Sequence, residues 1–542
     1  MKPTPILGCL LFAGIILAGL SPAPAAEYWV ATTGNDTASG SKAEPWRTIQ
    51  RAVNSALAGD TISLRGGTYA EFVTFDFRSG SEGQPITLKP ESGESVLLDG
   101  STLTVPANTG RALVYIYNSS YIRIEGLEIA NLSSAAPGAV PVGILVEGSG
   151  KGITLRDNFI HHIRQTRNAL SGVDAHAIAF YGNAKAIPLS DITIAGNEIA
   201  DCLLGSSEAL VLNGNVENFT IENNTIHDCN NIGIDLIGYE KTSKSKTLDR
   251  ARKGVVRENT VYNIDTDKNP AYGGHPDTGG GDRSAAGIYV DGGTNIIIER
   301  NHVFHCNFGI ELASEAAKGS TDQITMRDNL IHHNMSAGLA IGGYDSKRGS
   351  TRNCTITHNT FYRNDTLQTG TGQISLQWYV SNCSFTHNIL WADPTLKQMI
   401  VHDPYLPRPN YKKMNLGAGV AFNYNRYYHD GGDSSAVFTL VTRNLRRNYT
   451  TLAAWQADAT GLLADANSTF GDPGFATPVP VDAPADPSAS DIENDADQYK
   501  LGSASAVRDL GQPGFIIGSG EEDFFGDARI QGGAVGIGAD ER

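Results

Sequence analysis

Asp235, Asp291 and Glu311 stand at matching places in three short runs, Gly233-Ile234-Asp235-Leu236, Gly287-Ile288-Tyr289-Val290-Asp291 and Gly309-Ile310-Glu311-Leu312. Each run opens on glycine and then alternates. If the runs are strands, the isoleucines face one side while the acids and Tyr289 face the other. Carboxylates crowded on one strand face repel unless something compensates them. Ca2+, which takes several carboxylate oxygens in loose geometry, is the expected compensating ion, with Asp235, Asp291 and Glu311 as ligands. Basic and phenolic residues follow the same runs in Gly238-Tyr239-Glu240-Lys241, Glu315-Ala316-Ala317-Lys318 and Gly343-Tyr344-Asp345-Ser346-Lys347-Arg348. β-Elimination from a uronic acid needs a cation on the substrate carboxylate, a base for the C5 proton and an acid for the leaving oxygen. Ca2+ or arginine supplies the first, and lysine, arginine, histidine or tyrosine the others. The expected proton-transfer residues are Tyr239, Lys241, Lys318 and Arg348, with the base open between the two lysines. Tyr289, Tyr344, Lys347 and Gln377 are the expected sugar contacts, in an outward row that also includes Gln373 and Trp378 and would suit sugar stacking. Two other readings stay open. A carboxyl pair roughly 6.5–9.5 Å apart would serve an inverting glycoside hydrolase, and the same groove could belong to a non-catalytic carbohydrate-binding surface protein.

The elements that must position these residues are set by a repeat. An asparagine recurs as Asn158, Asn197, Asn224, Asn259, Asn301, Asn329, Asn359, Asn388 and Asn425, most of them preceded by a short alternating apolar run. Repeats of 27 to 30 residues made of short strands, with longer copies carrying insertions, describe a solenoid. Its equivalent positions form columns about 4.8 Å apart. The asparagines read as structural corners, since asparagine tolerates a left-handed backbone and bonds its own turn. His161, His227 and His332, each three residues past a ladder asparagine, read as corners too. The Gly-rich insertion from Asp265 to Ala286 lies between two turns and is expected to wall a binding face.

Residues 26–111 read as an entry module whose segment Trp46 to Ala58 has helical periodicity, and 112–430 as the coils. Residues 431–542 read as a closing region, with a Pro/Asp-rich surface linker near 476–495 and short strands from Tyr499 onward. Lys2, the apolar run Ile6 to Leu20 and Ala23-Pro24-Ala25-Ala26 read as a signal peptide over 1–25, hence a secreted chain with no membrane span. Formal net charge is −16, which disfavours general nucleic-acid binding. The exception is Lys241 to Lys253, where six basic residues meet a single acid, either a solvated loop or a contact for an acidic polysaccharide. Of the exported cysteines, Cys202 lies one turn from Cys229 and Cys354 one turn from Cys383. Stacking distance permits disulfides, and a buried thiol column fits equally. A capped solenoid needs no partner, so a monomer is expected.

Trp46-Arg47-Thr48-Ile49-Gln50-Arg51-Ala52, Gly59-Asp60-Thr61-Ile62 and Gly66-Gly67-Thr68-Tyr69 resemble the opening of secreted bacterial right-handed parallel β-helix proteins. Asp523-Phe524-Phe525-Gly526-Asp527-Ala528-Arg529 and Val535 to Glu541 resemble their ending. The resemblance implies an all-β, right-handed parallel β-helix with an N-terminal helical cap. Its members include polysaccharide lyases of the family-nine and chondroitinase-B kinds, with acidic calcium ligands and a lysine or arginine base, along with hydrolases and epimerases. Two departures stand out. Asn213 occupies the place of the chondroitinase-type lysine in Ser207 to Gly214, and Asn230-Asn231-Ile232-Gly233-Ile234-Asp235 is a degenerate version of the family-nine calcium motif.

Overall fold

A computed structural model describes residues 25–541 apart from 393–394, 396, 403–417, 443–444, 459–464, 481, 483, 485–486, 519 and 531–533. The leader expected over 1–25 lies outside the described residues except for Ala25. Three long sheets, of 16, 13 and 13 strands, wind through the chain so that each turn adds one short strand to each sheet. The first strand, Glu27–Val30, already belongs to one of them, and the last, Thr469–Phe470, ends another. Strand pairing within the three sheets is parallel until Val437–Thr442 turns back on Leu445–Tyr449. The glycine-opened runs form one sheet in the expected columns: Ile144 pairs with Ile178, Leu210 with Ile234, Ile288 with Ile310, and Ile310 with Leu339. All are fully buried, so the core is a set of aliphatic stacks inside the coil.

The helix at the entry is shorter than its periodicity suggests. It spans Ile49–Ser55, is capped by Thr48, and buries Ile49, Ala52 and Val53.

The asparagine repeat is a continuous buried ladder. Backbone N–H and Nδ2 of Asn158 both donate to Oδ1 of Asn197, at 3.1 and 2.9 Å. The same pair of bonds recurs through Asn224, Asn259, Asn301, Asn329, Asn359 and Asn388 to Asn425. The corner falls one residue earlier than expected. Asp157, Asn223, Glu258, Arg300, Asp328, His358, His387 and Tyr424 take φ between 53° and 58°, and the asparagines themselves do not. The preceding residue turns the chain, which leaves the asparagine free to aim its amide along the stack. For the same reason the left-handed residues are His162, Asp228 and His333, not His161, His227 and His332.

A second, shorter ladder links Cys306, Asn334 and Asn364, and ends on Oε1 of Gln373. Gln373 is therefore internal and not part of an outward sugar row. All five cysteines among the described residues are free and buried, which decides for the thiol columns.

The closing region also departs from expectation. Among the described residues no strand follows Thr469–Phe470, and part of the Pro/Asp-rich segment is a helix, Ala489–Asp497, with a capping box on Ser488. The tail runs back over the outer face of the third sheet. Ile492 packs on Tyr262 and Phe304, while Phe475, Tyr499, Val507 and Ile537 pack with Tyr362, Ile389 and Trp391. Aromatic side chains on that face require a cover, and the tail supplies it.

Candidate active site on the acidic sheet face

Strands Leu210–Gly214, Ile234–Ile237, Ala286–Asp291, Phe308–Ala313 and Leu339–Ile341 lie side by side. Their register places Val211, Asp235, Tyr289, Glu311 and Ala340 in one row. Asp291, two residues beyond Tyr289, pairs with Ala313. The three expected metal ligands thus share one face, but they do not converge. Asp235 and Glu311 flank Tyr289 at two strand spacings, roughly 10 Å, whereas two oxygens on one Ca2+ are at most about 5 Å apart. Among the described residues, the sets of three donors lying within 4.8 Å of one another include none of these acids. A single ion held by all three does not fit. The donor chemistry nevertheless suits a hard cation, because the side chains are oxygen donors and one oxygen lacks any partner.

That oxygen is Oδ1 of Asp235, buried at 2% exposure and without a hydrogen bond, as is the hydroxyl of Tyr289 beside it. Asp291 accepts the Glu315 N–H at 2.7 Å. Burial, reinforced by neighbouring carboxylates, pushes the carboxyls upward. Asp235 lies well above the ordinary range through burial and the charges of Glu208 and Asp291. Asp291 is pushed up to about 8, mainly by burial, and Glu311 also to about 8, by burial and then Glu315. Near neutral pH these groups hold protons unless a cation replaces them.

The expected proton-transfer residues do come together. Tyr239, Lys241 and Lys318 line one cleft of about 440 Å³ with Lys246, Asp249, Ala316, Ala317 and Gly319. Asp249 holds the loop by accepting the N–H groups of Lys241 and Ser243, each at 2.7 Å, while the Lys241 side chain remains exposed. Tyr239 and Lys241 both carry left-handed backbone, φ 69° and 70°, which non-glycine residues rarely adopt without a reason. Arg348 stands at the margin, bonded to Asp345 at 2.8 Å, 3.9 Å from Glu315, and stacked on the Tyr344 ring at 3.9 Å. Tyr344 and Lys347 are exposed, and Gln377 is half-buried. Trp378 is buried, so it presents no open stacking face.

Only half of the basic segment is available for a polyanion. Arg250 donates to the carbonyls of Gly292, Gly293 and Ser320, and Arg252 and Lys253 pair with Glu217 at 3.0 Å. Lys241, Lys244 and Lys246 are exposed.

Three residues next to the acids escaped sequence reasoning. The Tyr181 hydroxyl lies 3.2 Å from Nε2 of His176, whose Nδ1 is 3.5 Å from Glu208 Oε2. Burial pushes Glu208 up to about 8 and draws His176 down to about 4. Tyr181 lies on strand His176–Gly182, which pairs with Leu210–Gly214, and Glu208 precedes the latter, so their proximity follows from register. His176 carried no such signal. The insertion walls the face as expected, with Asn269 bonded to the carbonyls of Gly205 and Asn230. Tyr272 of the insertion is pushed up to about 12 by burial, with Glu208 and Glu315 contributing. A larger cleft, about 840 Å³, lies along the insertion and includes Asp228, Asp265, Asp267 and Lys268, but none of the expected site residues.

Comparison with known proteins bears on the fold. The profile for a "Pel9A-like, right handed beta helix region" matches residues 28–187, and that for a "Right handed beta helix region" matches 143–388. The chain is 36% identical over 351 residues to uncharacterized protein YwoF of Bacillus subtilis (strain 168), covering 65% of this chain and 71% of that one. The chain belongs to the pectate-lyase-like right-handed β-helix family. This β-helix protein is also 32% identical over 180 residues to pectate lyase PEL9 of Emericella nidulans, spanning 31% of its own length and 41% of that enzyme's. Among solved structures it resembles pectate lyase Pel9A (14% identity, 95% and 96% coverage, TM-score 0.44). It also resembles the GH136 lacto-N-biosidase of Eubacterium ramulus (15% identity, 82% and 67% coverage, TM-score 0.48). No described helix of the β-helix protein is long and apolar enough to cross a membrane.

Proposed function

We propose that this β-helix protein is a secreted polysaccharide lyase that cleaves a uronic-acid-containing polymer by β-elimination, with calcium as its cation. The observation that supports this reading most is the buried, unpartnered Asp235 carboxyl on the strand Ile234–Ile237 that leads to Tyr239 and the Tyr239–Lys241–Lys318 cleft. Asp235 with its neighbour Glu208 would hold the ion; bound there, calcium would neutralise the substrate carboxylate and acidify the adjacent C–H. Lys241 or Lys318 would take the C5 proton, and Tyr239 would deliver one to the leaving oxygen. Arg348, held over Tyr344, would orient a second acidic sugar, and exposed Tyr344 would stack against a pyranose face.

One observation favours a second reading. Asp291 and Glu311, protonated near neutrality, are suited to act as general acids in an inverting hydrolase. Incubating the protein with a panel of uronate polysaccharides, with calcium and then chelator, separates the two. Lyase action creates a C=C bond whose ultraviolet absorbance rises and is lost on chelation. Shortened products without new absorbance would mean hydrolysis. No cleavage of a broad panel would leave a carbohydrate-binding protein as the better reading.

A further inference from the structure

Far from the acidic face, on the outer side of the third sheet, three buried side chains point at one spot. His302, on strand His302–Phe304, and His332, on the next turn's Leu330–His332, bring their Nε2 atoms within 2.7 Å. Asp495, from the tail helix Ala489–Asp497, places Oδ2 2.9 Å from His332 Nε2 and 3.3 Å from His302 Nε2. All three are buried, at 4%, 0% and 2% exposure. Hydrogen bonding accounts poorly for this meeting. Two imidazole nitrogens 2.7 Å apart cannot both carry a proton on that side, and Asp495 Oδ2 makes no hydrogen bond of good geometry. Two imidazole nitrogens and one carboxyl oxygen therefore meet at one buried point.

We propose that His302, His332 and Asp495 form a structural site for a divalent transition metal of the zinc class, which pins the tail helix to two turns of the solenoid. Two imidazoles and a carboxylate, leaving one position for water, are a donor set that suits zinc and is too nitrogen-rich for calcium. Donors around a tetrahedral zinc stand roughly 3.3 Å apart, so the present spacing needs to open only slightly. The rings are already held in place. His332 stacks between Phe304 and Tyr499, and His302 lies against Phe304 with the edge of Phe524 beside it. A surface cleft of about 270 Å³, lined by His302, Ile492 and Phe524 among others, gives an entry path. The site is independent of the lyase reading, since it shares no residue with the acidic face.

The full-length chain without an affinity tag, stripped with chelator, should take up one equivalent of Co2+ with visible ligand-field absorption and lose that absorption to Zn2+. Asp495→Asn and His302→Phe should each weaken zinc affinity by at least about 100-fold. Zinc-loaded protein should resist proteolysis within residues 489–497, and chelation should abolish that resistance. Folded wild-type chain that binds neither ion at micromolar concentration would overturn the proposal, a result that needs no variant to fold. Undiminished affinity in both variants would also overturn it, because the ion would then lie elsewhere.

Discussion

At the scale of single residues, the acidic face poses a problem of compensation. Glu208, Asp291 and Glu311 each have a folded-state pKa of about 8, above the ordinary carboxyl value of 3.8 or 4.5. The folded chain therefore binds more protons than the unfolded chain between about pH 4 and 8, so these groups make stability fall as pH rises through that window. In chelator, Asp291→Asn should flatten the fall between pH 5 and 8 as read by thermal melting. Calcium should recover more stability in the wild type at pH 8 than at pH 5. The lysines make a separate prediction. Lys241→Ala or Lys318→Ala should lower turnover of a uronate polymer by about 10²-fold or more, with little change in melting temperature. The lysine whose loss gives the larger fall in kcat is the base. Equal, small effects from both would remove the amines from the chemistry.

At the scale of the turn, the ladder amide does two tasks at once. Each Nδ2 bonds the next asparagine and also a backbone carbonyl, as Asn301 does to Asn329 and to Val256. Asn301→Ala would leave the Asn259 N–H and Nδ2 without their shared acceptor inside the core. A cost of about 2–4 kcal/mol in a denaturant melt is expected. The ladder, the aliphatic columns and the row Asp235–Tyr289–Glu311 were all legible in sequence, because a solenoid maps a fixed sequence offset onto a fixed spatial neighbour. Gly-opened runs supplied that offset. What sequence could not supply was any contact between segments outside the repeat. His176 meeting Tyr181, Arg250 anchored on Gly292, and the tail helix over Phe304 all join parts with no common period. Gln373 looked outward by pattern and turned inward, because the second ladder needed an acceptor at its end.

At the scale of the molecule, the tail is a cover for one side of the stack and not a plug at its end. Removing residues 476–542 would uncover Tyr362, Trp391, Phe304 and their neighbours as one apolar strip. The truncated chain should aggregate on size-exclusion chromatography even though the three sheets remain complete. A monodisperse truncated chain would show that the strip needs no cover. The acidic face lies on another sheet, so any soluble fraction should cleave or bind a uronate polymer as the full chain does in the same assay.

The asparagine stack also has an electrical sense. One Nδ2–H of each asparagine from Asn158 to Asn388 points to the next asparagine toward the C-terminal end, and the first Oδ1 faces back to accept the Leu127 N–H. Side-chain dipoles aligned this way add as peptide dipoles do in a helix, with the partial positive charge gathered at the far end. There the Asn425 N–H donates to Ser468, whose hydroxyl passes to the buried carboxylate of Asp465. The stack thus ends on a buried carboxyl group, which burial pushes up to about 7, and a residue without an acceptor at 465 would leave that pole without its hydrogen-bonded end inside the protein.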